Sequence, residues 1–306
     1  MSRTTGGAAS GRRRLSRVAV LGAALGLALT AATGVASAST VASASTQSTT
    51  NAKASVARSG VLPFQGADAG IQPAAAADLV YHGGFIQDHA AVYLVFWGKQ
   101  WTSDANGVQT YVTNYFKGLG TSGDAWSRVT SQYTGKGGAP TFTGSVLKGT
   151  WVDTGAAAPS RASASQIAAE ARKGLAHFGV AVSHNASVIV LSPHGTHPDG
   201  FPAGGFCAWH DATGGLPFTN MPYVLDAGTS CGANSVRSRL DGFSIVAGHE
   251  YLEVVTDPIP PSGWVDRSGA ENADKCAWKN LHTIALPTGS FAVQPTWSNK
   301  VHGCAG

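Results

Sequence analysis

Residues 248–258 read Gly-His-Glu-Tyr-Leu-Glu-Val-Val-Thr-Asp-Pro. On an α-helix, side chains four apart stack on one face, so His249 and Glu253 are spaced to hold one ion between them. Glu250 projects about 100° further round the axis, toward the ion's flank. This is the arrangement of the H-E-x-x-H zinc motif, in which two histidines bind metal and the glutamate is the general base. Glu253 stands here in place of the second histidine, and carboxylate oxygen is itself a zinc ligand.

A catalytic zinc takes three protein ligands and keeps one position for water. Three residues are candidates for the third. Asp257 lies four residues beyond Glu253, but Pro258 pushes its predecessor out of the α region. Glu271 lies 18 residues beyond Glu253 in Gly269-Ala270-Glu271-Asn272-Ala273-Asp274, a distance comparable to that in zincins of the thermolysin type, with Asp274 placed to orient a ligand. His210 follows Cys207 closely in Phe206-Cys207-Ala208-Trp209-His210.

With Zn2+ as cofactor the expected chemistry is hydrolysis. The ion polarises a water, Glu250 takes its proton, a carbonyl is attacked, and the proton passes to the leaving amine. The carboxylates equally suit Ca2+, in which case the site is structural. A glycosidase is a further alternative, with Glu250 and Glu253 as acid and base and Trp209, Trp264, Trp278 and Trp297 as sugar platforms. His194 and His197 read as an exposed loop, His82 as a strand-end histidine, and Asp266 as a turn residue. Gly-rich loops such as Gly214-Gly215 lack the Lys and Ser or Thr of a phosphate-binding loop.

The elements that must position these residues follow an α/β pattern. The continuous apolar run 91–97 reads as a strand buried on both faces, and 107–119 as a helix with Val108, Tyr111, Val112, Tyr115, Phe116 and Leu119 at helical spacing. Residues 129–133 and 141–152 read as strands. Ser163 and Gln166 have capping-box spacing for a helix over 163–178 that Gly179 closes, and 187–191 reads as another buried strand. Asp241 is the expected N-cap of the helix that carries His249, and Pro258 its stop. The expected fold is α/β, a central mostly buried sheet with flanking helices and a loop-rich, disulfide-bonded C-terminal part.

The N-terminus sets the compartment. Arg12-Arg13-Arg14, the apolar run 18–32 and Ala36-Ser37-Ala38 form a signal peptide over 1–38, exported by the Sec or the twin-arginine route. Residues 39–77, poor in large apolar side chains, read as a disordered leader or pro-segment, and 78–306 as a single globular domain. Residues 1–38 hold five of the 21 Lys and Arg and none of the 17 acids. The mature chain therefore carries 16 basic against 17 acidic residues, a net of −1, and the positive formal charge of the full sequence belongs to the export signal. The charge offers nothing for nucleic acid, and no later stretch is long enough to span a membrane. The expected partner is an extracellular polypeptide or cell-wall substrate, met by a secreted monomer. The four cysteines, Cys207, Cys231, Cys276 and Cys304, fit two disulfides in an oxidising compartment. Three connectivities are open.

Tyr81-His82-Gly83-Gly84 with Val92-Tyr93-Leu94-Val95-Phe96-Trp97-Gly98, Phe206-Cys207-Ala208, and Asp274-Lys275-Cys276-Ala277-Trp278 resemble the phosphate-induced protein 1, or exordium-like, secreted family, in patches over 79–304. The bacterial branch is similar further in His249-Glu250 with Glu253, Thr256-Asp257-Pro258, Gly263-Trp264 with Asp266, and Trp297-Ser298-Asn299. The resemblance implies an extracellular protein. Plant members are associated with cell walls and growth signalling, which makes a non-catalytic wall- or glycan-associated protein the competing expectation.

Overall fold

The computed structural model describes residues 59–67 and 77–306. The expected signal peptide and the rest of the expected leader lie outside the described residues. In chain order the strands and helices are β1 (Ser59–Pro63), β2 (Val80–Tyr81), β3 (Ala91–Trp97), α1 (Val108–Gly118), β4 (Leu147–Asp153), α2 (Ala164–His177), β5 (Ala186–Leu191), β6 (Phe206–Thr213), β7 (Leu216–Met221), α3 (Asp241–Thr256), β8 (Trp264–Val265), β9 (His282–Leu286), β10 (Gly289–Val293), β11 (Thr296–Ser298) and β12 (Gly303–Ala305).

Six strands make the central sheet in the order β4-β3-β5-β7-β6-β1. Neighbours from β4 to β7 run parallel, whereas β6 and β1 are antiparallel additions. β3 and β5 are continuous apolar runs because both faces of the sheet are covered. Val92, Leu94, Val95, Phe96, Val188 and Val190 are fully buried, each such side chain contributing about 1.5–3 kcal/mol of burial.

Register settles which face carries the chemistry. His210 pairs with Thr219, Thr219 with Ile189, and Ile189 with Leu94, so these four side chains share a face. Val95 points the other way, and α2 packs there: a Cβ on Gly174 would stand 2.4 Å from Val95 Cγ2. α3 lies on the His210 face. It is buried along all 16 residues, as a helix enclosed on every side must be. α1 packs beside it through an edge contact of Phe116 on Tyr251. Gly248 makes that approach feasible, since a Cβ there would meet the Tyr115 hydroxyl at 2.3 Å.

Local signals explain most boundaries. The Ser163–Gln166 capping box is formed, and Gly179 adopts φ 66° after α2. Asp241 is the first residue of α3 rather than its cap, yet its carboxylate accepts from the backbone N–H groups of Val236, Arg237 and Ser238 and fastens the turn leading in.

Three expectations are corrected. Residues Ser127–Gln132 form a 3-10 helix, not a strand; the Asp124 carboxylate accepts from the Ser127 N–H and the Thr130 hydroxyl donates to the Ser127 carbonyl, local bonds that a strand would forgo. The strand expected over 141–152 begins only at Leu147, because Thr141 is tied to the Asp88 carbonyl and Phe142 accepts from Arg128. Within the leader, residues 59–63 are the edge strand β1, held by the fully buried Leu62.

The C-terminal part is loop-rich and pinned by two disulfides, Cys207–Cys231 and Cys276–Cys304, the pairing of sequence neighbours. Among the described residues no helix is long and apolar enough to cross a membrane.

Candidate metal centre

Three segments converge beneath the sheet: α3 with His249, Glu250 and Glu253, β6 with His210, and the loop after β8 with Glu271 and Asp274. The loop is fixed by buried amides. Asn272 donates to the Leu252 carbonyl and to Thr256 Oγ1 at the end of α3, and Gln294 donates to the Ala273 carbonyl. The Cys276–Cys304 disulfide closes its far end and Cys207–Cys231 braces the start of β6.

His249 Nε2 lies 3.0 Å from Glu253 Oε1 and 3.6 Å from Asp274 Oδ1. His210 Nδ1 lies 3.0 Å from Glu250 Oε2 and 3.5 Å from Glu253 Oε2, while its Nε2 lies 3.4 Å from Glu271 Oε2. Two trios thus have the spacing to hold a cation, His249–Glu253–Asp274 and His210–Glu250–Glu253, with Glu253 common to both. His210, His249, Glu250 and Glu253 have no solvent exposure, and Glu271 has 2%.

Burying this many ionisable groups is costly unless each is paired. Hydrogen bonds do not complete the pairing. His249 Nδ1 and Nε2, His210 Nε2, Glu250 Oε1, Glu253 Oε2 and Glu271 Oε1 are buried without a hydrogen-bond partner. The contact of His249 Nε2 with Glu253 Oε1 is therefore close without being a hydrogen bond. A donor set converging in this way fits a divalent cation, which would neutralise the carboxylates and occupy the free imidazole lone pairs.

The groups also shift one another's protonation. Burial raises the pKa of Glu250, with the His210 hydrogen bond opposing. Burial and Asp274 raise that of Glu253, and burial raises that of Glu271 far above the carboxylate range. Burial works against the charged imidazoles, but Glu271 and Glu250 hold His210 well above the ordinary histidine value, and Glu253 and Asp274 do the same for His249.

Of the residues singled out by sequence, His249, Glu250, Glu253, His210 and Glu271 are brought together. Glu271, 3.4 Å from His210 Nε2, is in neither trio, and nor is Asp257. Asp257 is non-helical (φ −148°, ψ 69°), as Pro258 requires, and its Oδ1 accepts from the Gly263 N–H. Asp274, expected only to orient a ligand, stands in the first trio; its spacing three residues after Glu271 was the available signal. Asp266 is a turn residue as expected, accepting from Ser268 and Ala270 and pairing with Lys275 at 3.0 Å. His194 is exposed and pairs with Asp226, His197 is half-buried against the Phe201 carbonyl, and His82 is exposed. Trp209 and Trp297 are buried, which removes them as sugar platforms.

No protein-family model, curated protein or solved structure matches the chain.

Proposed function

We propose that the protein is a secreted, metal-dependent hydrolase of peptidase type. The observation that carries the proposal is the cluster of buried imidazoles and carboxylates around Glu253, in which His249 Nδ1 and Nε2, His210 Nε2, Glu250 Oε1, Glu253 Oε2 and Glu271 Oε1 have no hydrogen-bond partner among the described residues. His249, Glu253 and Asp274 would hold the ion. The His249 imidazole in this set favours zinc over calcium, which prefers all-oxygen sets. Zinc bound there would acidify a water and polarise a carbonyl. Glu250 is the base: its Oε1 has no partner and is available to a water proton, while Oε2 is held by His210. His210 thereby fixes the direction in which Glu250 works, and Glu250 carries the proton on to the leaving amine. The N-terminal signal and two disulfides support an extracellular location, and membership of the exordium-like family belongs to the same proposal.

The complete burial of His249 and Glu253 favours one competing reading, a wall- or glycan-associated protein in which a metal, calcium included, only stabilises the fold. Metal analysis of the purified protein, paired with hydrolysis of a denatured polypeptide by wild type and Glu250→Gln, separates the two. About one zinc per chain and activity lost in the variant support the peptidase. Bound metal with equal absence of hydrolysis in both would establish the structural role.

A further inference from the structure

β1 occupies the sheet edge directly over the candidate centre. Among the described residues it pairs on one side only, with β6, and Ser59 stands opposite His210. The register is irregular between Ser59 and Val61, and Gly60, at the irregularity, adopts φ 50°. A Cβ on Gly60 would stand 1.9 Å from His210 Cε1 and 2.1 Å from Nδ1. The strand backbone therefore lies against the imidazole that holds Glu250, with no room for a side chain. Two residues on, Leu62 is fully buried in the main core. Beyond it, Pro63 accepts from the Trp278 indole, and Phe64 and Gln65 donate to the carbonyls of Gly205 and Ser230. Backbone contacts along an edge, one close approach at the reacting centre and one apolar side chain in a pocket are how an extended peptide is recognised by strand addition.

We infer that the β6 edge taken by β1 is the polypeptide-binding subsite of this centre, with the space filled by Leu62 as its apolar specificity pocket. β1 is then a substrate-like occupant, and it has to leave before a substrate enters. This rests on the peptidase reading, and it accounts for a reacting centre that is closed to solvent. The preferred substrate is an extended chain with a small residue over His210 and a leucine-sized residue two positions toward its C-terminus.

The test uses the full-length, zinc-loaded protein as wild type, Leu62→Asp and Gly60→Val. The first variant makes the pocket residue unfit for burial; the second sets a side chain against His210 and leaves Leu62 in place. Folding is followed by near-UV circular dichroism. Hydrolysis of a denatured polypeptide and binding of a labelled peptide spanning Ser59–Gln65 are then measured. At least one variant is expected to remain folded, hydrolyse at least about tenfold faster than wild type, and bind the peptide while wild type does not, because the competent population has risen. Folded variants no more active than wild type that also fail to bind the peptide would overturn the inference, as would unfolding of both variants, which would make β1 an integral part of the core. Peptide binding to a folded variant with no hydrolysis in any form would retain the subsite and reject the peptidase.

Discussion

His210 Nδ1 on β6 lies 3.0 Å from Glu250 Oε2 on α3, with neither side chain exposed to solvent. A sheet residue and a helix residue 40 positions apart are thus joined at the glutamate proposed as the base. Glu250→Gln keeps the shape and removes the basicity. It is expected to lower kcat by roughly 10²–10⁴-fold while bound metal stays at the wild-type level. His210→Ala should lower kcat less and leave KM nearly unchanged, as suits a positioning residue. Equal metal loss in Glu250→Gln would instead make Glu250 a ligand.

Glu253 is common to both possible cation positions, whereas Asp257 belongs to neither. Glu253→Gln is expected to abolish metal retention through dialysis, and Asp274→Asn to weaken affinity by on the order of 10- to 100-fold. Asp257→Asn should keep the metal. Its cost is to the loop that Asp257 braces through the Gly263 N–H, about 1 kcal/mol in a denaturant titration.

What was legible in the sequence divides along a physical line. The continuous runs of β3 and β5, the capping box of α2 and the i, i+4 pair of α3 are dictated by residues near one another in the chain, and they were readable. The roles of Asp274 and β1 depend on partners far away. Asp274 reaches His249 because Asn272 ties its loop to the end of α3, and a strand within an Ala- and Ser-rich leader is visible only through what Leu62 packs on. The strand expected at 129–133 fails for a related reason: β-branched residues there were outweighed by the Asp124 carboxylate capping a 3-10 turn. His210 and Glu271 were legible as candidate residue types but their places in the cluster were not, since their approach runs through sheet register and two disulfides.

The Cys276–Cys304 disulfide closes a 28-residue separation two positions after Asp274. Replacing both cysteines by serine is expected to destabilise the protein by about 3–4 kcal/mol, chiefly by freeing the unfolded chain. The anchoring of the metal loop predicts a second effect, a measurable fall in metal affinity in the folded variant. A calorimetric scan with and without added zinc measures both, and an unchanged metal-induced rise in Tm would show that Asn272 and Gln294 suffice to hold the loop.

A pH dependence independent of the metal centre follows from the outer face of α2. Glu170 and Asp153 are buried beside Lys173, which contacts both carboxylates. Burial, reinforced by the hydrogen bond and charge of Asp153, raises the Glu170 pKa to about 7. Burial opposes ionisation of Asp153 too, but Lys173 and the Gly155 N–H outweigh it and hold Asp153 below the ordinary range. The two acids therefore act with opposite sign. A raised carboxyl pKa means that the folded state holds its proton more tightly than the unfolded chain, so Glu170's contribution is complete below the ordinary glutamate value and is lost as pH rises through about 7. Asp153 contributes above its unfolded value and loses that contribution only as the solution becomes strongly acidic. Glu170→Gln should therefore flatten the decline of Tm between mildly acidic and mildly alkaline buffer while leaving the acid limb intact. A variant whose Tm declines over that interval as steeply as wild type would place the titrating group elsewhere.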